Sequence, residues 1–197
     1  MDTQQACDWP SRARALLSPL YAEPHRAYHG LKHIQALLTL LDAHQHLVHD
    51  TMAVTLAIWF HDAIYDSTRK DNEELSAVLA ERTLLEWGCG APLIASVVSK
   101  IRATKRHEWT DGDPDTAVFL DFDLSILAAP EPVYEAYARQ VRQEYAWVPE
   151  PLYGPARAEI LRSFLNRSSL YFIPSLRGAW EAAARRNLSA ELARLNA

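Results

Sequence analysis

Apolar residues recur along this chain every three or four positions, the period of a helix buried along one side. Residues 31–47 show it plainly, with Ile34, Leu37, Leu38 and Leu41 on one face. Residues 51–64 depart from it: "MAVTLAIWF" is apolar on nearly every side, as a central helix surrounded by others must be. Asp50 or Thr51 is placed to cap that helix, since a short oxygen acceptor satisfies the first free N–H groups.

The same period predicts helices over 11–21, opened by Pro10 and Ser11, and over 71–87, stopped by Gly88. Further helices are expected over 92–104, 117–127, 132–147, 156–166 and 175–187, with a short one near Ala190. "TDGDPD" at 110–115 reads as a turn, and the one strand signal is "SLYFI" at 169–173. The fold class expected is all-α, a compact helical bundle with additional C-terminal helices. No repeat, low-complexity tract or linker divides the 197 residues, so a single domain is expected over 1–197.

Composition narrows the functional classes. Hydrophobic residues make up 49% and charged residues 23%, ordinary values for a globular protein. No apolar run approaches the roughly 20 residues of a membrane span, and "MDTQQACDWPSRARALL" lacks the features of a signal peptide. Cys7 and Cys89 provide neither a disulfide framework nor a thiolate zinc site. A cytoplasmic location with no membrane partner is expected. A net charge of −5 argues against stable nucleic-acid binding. From Arg157 onward, however, arginines outnumber glutamates, so a minority of them are candidates for an anionic substrate.

The candidate chemistry lies where charge meets these apolar helices. His33 stands near the start of one helix, and His61 and Asp62 close the most apolar one. Asp121 and Asp123 interrupt "FLDFDLSIL". Unpaired carboxylates there are costly to bury, so partners or a metal are expected. Two imidazoles and carboxylates form a mixed N/O set suited to Mn, Fe, Co, Ni or Zn, with Mg also allowed, as one or two ions.

The ordered set "YHGLKHI", "WFHDAIYD" and "FLDFDLSIL" resembles the HD superfamily of metal-dependent phosphohydrolases. With "DNEELSA" and "IRATKRH", it looks most like the small stand-alone bacterial HD proteins predicted to be phosphohydrolases. The resemblance covers about 28–127, a metal-site core followed by a C-terminal extension over 131–197. It implies His33, His61, Asp62 and Asp123 as metal ligands, with Asp121 the alternative for the fourth. His29 would be the proton donor, as in cyclic-nucleotide phosphodiesterases. The related guanosine-tetraphosphate hydrolases carry an acidic pair where this chain has Tyr65-Asp66. Asp66 is therefore a candidate base, and it shares a face with Asp62 if the helix continues.

Other candidates follow from the residues themselves. Asp71 and Glu74 have capping-box spacing, which leaves Glu73 as a candidate general base. Lys105 and His107, after an apolar helix, are candidates for phosphate contact, as are Arg157 and Arg167. His44, His46 and His49 read as surface histidines without a buried carboxylate partner. The function expected is hydrolysis of a phosphomonoester or phosphodiester of a small molecule, a nucleotide first among them. The alternatives are a nucleotide or alarmone sensor on the same fold, or a di-iron oxygenase. A homodimer is left open.

Overall fold

The computed structural model describes residues 8–110 and 112–195; Cys7 and Asp111 of the expected turn lie outside the described residues. Among those described, all regular structure is helical, as the periodicity predicts. No described helix is long and apolar enough to cross a membrane. The chain divides into two compact units, 1–116 and 117–197, so the 28–127 stretch that resembles the HD core runs across the division.

The first unit holds α1 (Trp9–Tyr21), α2 (Leu31–Ala43), α3 (Thr51–Phe60), α4 (Asn72–Glu86) and α5 (Ala91–Ala103). α3 lies at its centre, with α1, α2, α4 and α5 packed against it. Its buried residues are Ala53, Val54, Leu56, Ala57, Ile58, Trp59 and Phe60, nearly the whole circumference. Each large side chain among them contributes about 1.5–3 kcal/mol by leaving water. Asp50 caps it, accepting from the Ala53 N–H at 2.9 Å. α4 ends as expected at Gly88, whose φ of +76° lets the Cys89 and Gly88 N–H groups close back on Leu84 and Leu85.

α6 (Pro114–Asp123) runs from the first unit into the second, which contains α7 (Glu131–Glu144), α8 (Glu150–Leu165) and α9 (Pro174–Leu195). Leu124, Leu127, Tyr134, Leu161, Leu170, Tyr171, Ala184 and Leu188 form its core. α8 starts six residues before the expected 156, because Pro151 falls in the first turn, where a missing N–H costs little. α9 is one helix rather than two. Asn187 donates its amide to the carbonyls of Leu127 and Ala129, at 2.8 Å each, and so does not compete for the helix backbone. "SLYFI" is not a strand: the Phe172 and Ile173 N–H groups donate to Asp121 instead of to a neighbouring strand.

Candidate metal centre

Two helix ends meet at the site. Gly30 caps the start of α2, where an added Cβ would stand 3.1 Å from the Tyr21 carbonyl, so a larger residue would press the end of α1 back by a few tenths of an ångström. His33 follows on the first turn of α2, buried, with the Tyr28 hydroxyl 3.3 Å from its Nδ1. α3 stops at Phe60 and not at 64, and His61 takes its C-terminal cap position. The His61 Nδ1 lies 2.9 Å from the Ile58 carbonyl. A carbonyl only accepts, so Nδ1 carries the proton and Nε2 presents a lone pair.

That lone pair faces two other donors. The His61 Nε2 is 3.2 Å from the His33 Nε2 and 3.1 Å from an Asp62 carboxylate oxygen, and the same oxygen is 3.8 Å from the His33 Nε2. A point equidistant from the three atoms lies about 2.0 Å from each, the bond length of a first-row divalent ion to imidazole or carboxylate. These are the described residues whose histidine and carboxylate atoms converge closely enough to hold an ion. Burial pushes the Asp62 carboxyl up, but His61, His29 and His33 outweigh it and hold the group well below the usual carboxylate range. The set is thus two imidazoles and an ionised carboxylate, the chemistry that transition ions favour. Each imidazole is oriented from behind, as metal-ligating histidines are.

His29 precedes the α2 cap, with its ring 6.2 Å from that of His33 and stacked on Tyr65 at 4.3 Å. Asp123 ends α6, in the second unit. Asp121, the alternative ligand, accepts from the Phe172 and Ile173 N–H groups at 2.8 Å through both oxygens. It is a structural carboxylate of the second unit. Burial raises it to about 7, although those two N–H groups and Arg177 favour its charged form.

Asp66 corrects an expectation. The helix does not continue past Phe60, so Asp66 does not stand a turn above Asp62. It lies in an exposed loop, where one oxygen accepts from the Thr68 N–H and hydroxyl. Those bonds hold its carboxyl low, the wrong direction for a base. The capping box also does not form. Asp71 makes no side-chain cap and pairs with Arg69, while Glu74 pairs with Arg102. Glu73 sits on the first turn of α4, and no hydrogen bond or ion pair among the described residues engages it.

The basic candidates separate. Lys105 is exposed and donates to the Lys70 carbonyl at 3.0 Å. His107 closes the end of α5 with φ +47°, its N–H on the Ala103 carbonyl. Arg157 is buried in the second unit, donating to Glu191 at 2.8 and 3.1 Å; a guanidinium so engaged is not a phosphate contact. Arg167 lies over the Phe164 ring. His49, expected to lack a buried carboxylate, has one: Asp115 accepts from its N–H and stands 3.1 Å from its Nδ1.

Sequence reasoning missed Tyr28, which carries a hydroxyl to His33 from just before the helix, and Arg26, which hydrogen-bonds the main chain of Asp62. Their place in "HRAYHGLKH" was the available signal. Set against known protein families, curated proteins and solved structures, the chain matches none.

Proposed function

We propose that this chain is a metal-dependent phosphohydrolase cleaving a phosphomonoester or phosphodiester, with a nucleotide as the substrate class. The observation that supports it is the convergence of His33, His61 and Asp62 at the separations one divalent ion requires. These are the residues that the resemblance to HD proteins marks as ligands, with Asp123 as the fourth. An ion of Mn, Fe, Co, Ni or Zn held there polarises a phosphoryl oxygen and lowers the pKa of a nearby water.

The chain's own groups handle the protons. Glu73 takes the proton of the attacking water. It shares a helix face with Ser76, one turn on, whose hydroxyl accepts from the N–H of Ile64 just past Asp62. His29, beside His33, protonates the leaving oxygen. Lys105 and His107 remain candidates for contact with the phosphate.

The test is phosphate release from a panel of nucleotides and phosphodiesters with Mn²⁺. Release by the wild type, lost in Asp62→Ala, is the expected result. A wild-type chain that binds no divalent ion contradicts the proposal. The bonds from Thr68 to one oxygen of Asp66, which lower the basicity of one candidate base, favour a second reading: a nucleotide-binding sensor. Metal and nucleotide bound without turnover is its signature.

A further inference from the structure

One candidate ligand, Asp62, and the candidate acid, His29, sit on main chain that no helix holds. Asp62 stands beyond the end of α3, in the turn before Asp66, and His29 lies in the loop between α1 and α2. One side chain joins the two. The Arg26 Nη1 donates to the Asp62 carbonyl at 2.6 Å and to the His29 carbonyl at 3.2 Å. Its Nη2 donates to the Ala63 carbonyl at 2.9 Å, and its Nε to Glu23 at 3.0 Å.

The environment suits a guanidinium and nothing smaller. The Arg26 side chain is 1% exposed, while Glu23, its carboxylate partner, is partly open to solvent. The guanidinium lies 5.1 Å from the centre of the Tyr21 ring and 5.5 Å from that of Tyr65, within cation–π range of both. Tyr65 in turn stacks on His29. A planar fork reaches several carbonyls at once, whereas a lysine ammonium on a flexible stem has no fixed fork. His25 adds a weaker tie, with Nε2 2.9 Å from the Tyr65 carbonyl.

We infer that Arg26 is the positioning residue of this centre: by holding the main chain of Asp62 and His29 on one guanidinium, it sets the carboxylate against the two imidazoles and the candidate acid beside them. The inference rests on reading His33, His61 and Asp62 as metal ligands. In that role Arg26 acts through the carbonyls of His29, Asp62 and Ala63 and not through the candidate ligand atoms. Groups that orient metal ligands typically change affinity by about 10–100-fold when removed, and a loss in that range is expected here.

The experiment is calorimetric titration of Mn²⁺ into the wild type, Arg26→Met and Arg26→Lys, with thermal unfolding of each in chelator. A merely structural arginine would lower the unfolding midpoint in chelator and leave the affinity of the folded protein unchanged. The expected result is a roughly 10–100-fold weaker affinity in folded Arg26→Met, partly recovered in Arg26→Lys. Wild-type affinity in folded Arg26→Met overturns the inference and leaves the metal reading standing. A wild type that does not bind Mn²⁺ overturns both. Should neither variant fold, Glu23→Gln loosens the same guanidinium from a partly exposed position. A smaller loss of affinity is expected there, and an unchanged affinity overturns the inference.

Discussion

Each unit of this protein sets a carboxylate among polar partners, buried at Glu191 and partly buried at Asp62, and the two clusters are composed differently. In the second unit Glu191 accepts from Arg157 and from the Tyr134 hydroxyl, so the cluster contains its own cation. Burial and the Glu191 charge together keep that hydroxyl protonated, and Tyr134 titrates well above its ordinary value. In the first unit Asp62 meets two imidazoles whose nitrogens converge with its oxygen on one point. A complete ion pair has finished its electrostatics and specifies packing. A set of convergent donors is arranged for a charge brought from outside.

That contrast is open to experiment. The largest effect is expected at Asp62: Asp62→Ala removes a ligand, so Mn²⁺ affinity falls by more than about 100-fold and phosphate release disappears with it. Calorimetry and a phosphate assay check both. Arg157→Met leaves a buried carboxylate without its cation and is expected to destabilise the fold by about 3–5 kcal/mol. Urea denaturation measures that loss, and the metal affinity of the folded variant stays at the wild-type value. An equal loss of affinity would erase the distinction between the clusters.

A third pair sharpens it. Lys100 is wholly buried against Asp113 and Ser96, but Asp113 is 46% exposed. Asp113→Asn is therefore expected to cost less, about 1–3 kcal/mol. Burial raises the Asp113 carboxyl, and the Lys100 ammonium outweighs this and holds it below its ordinary value. A carboxyl lowered by folding contributes stability above its unfolded pKa, and that contribution disappears as pH falls through the folded value. The gap in denaturation midpoint between wild type and Asp113→Asn should be full at about pH 6, narrow once pH falls below the ordinary aspartate value, and close only below the lowered folded value. Smallest is Asp50→Ala, which removes the α3 cap at about 1 kcal/mol by the same measurement.

The fold class was legible because helical periodicity is a property of the chain alone. Ile34, Leu37 and Leu41 are buried where their spacing put them, and α3 is the central helix its apolar run implied. Helix ends were read less well, since they depend on distant partners. Asn187 passes for a helix end until Leu127 and Ala129 are seen to take its amide. Asp121 and the 169–173 stretch mislead together, because the carboxylate serves as the N–H partner that a strand would have needed. At the candidate site, His33, His61 and Asp62 stood out as charge in apolar surroundings. The shared face of Asp66 and Asp62 depended on a helix continuing, and α3 ends at Phe60; Arg26 was missed because its acceptors at the site are main-chain carbonyls, which no side-chain pattern reveals.

The most direct test of the account is the divalent metal content and Mn²⁺ affinity of the purified chain beside those of Asp62→Ala. The account predicts an ion bound by the wild type and lost when Asp62 is removed. A wild type without affinity for divalent ions, or an Asp62→Ala variant that binds as tightly, would contradict it.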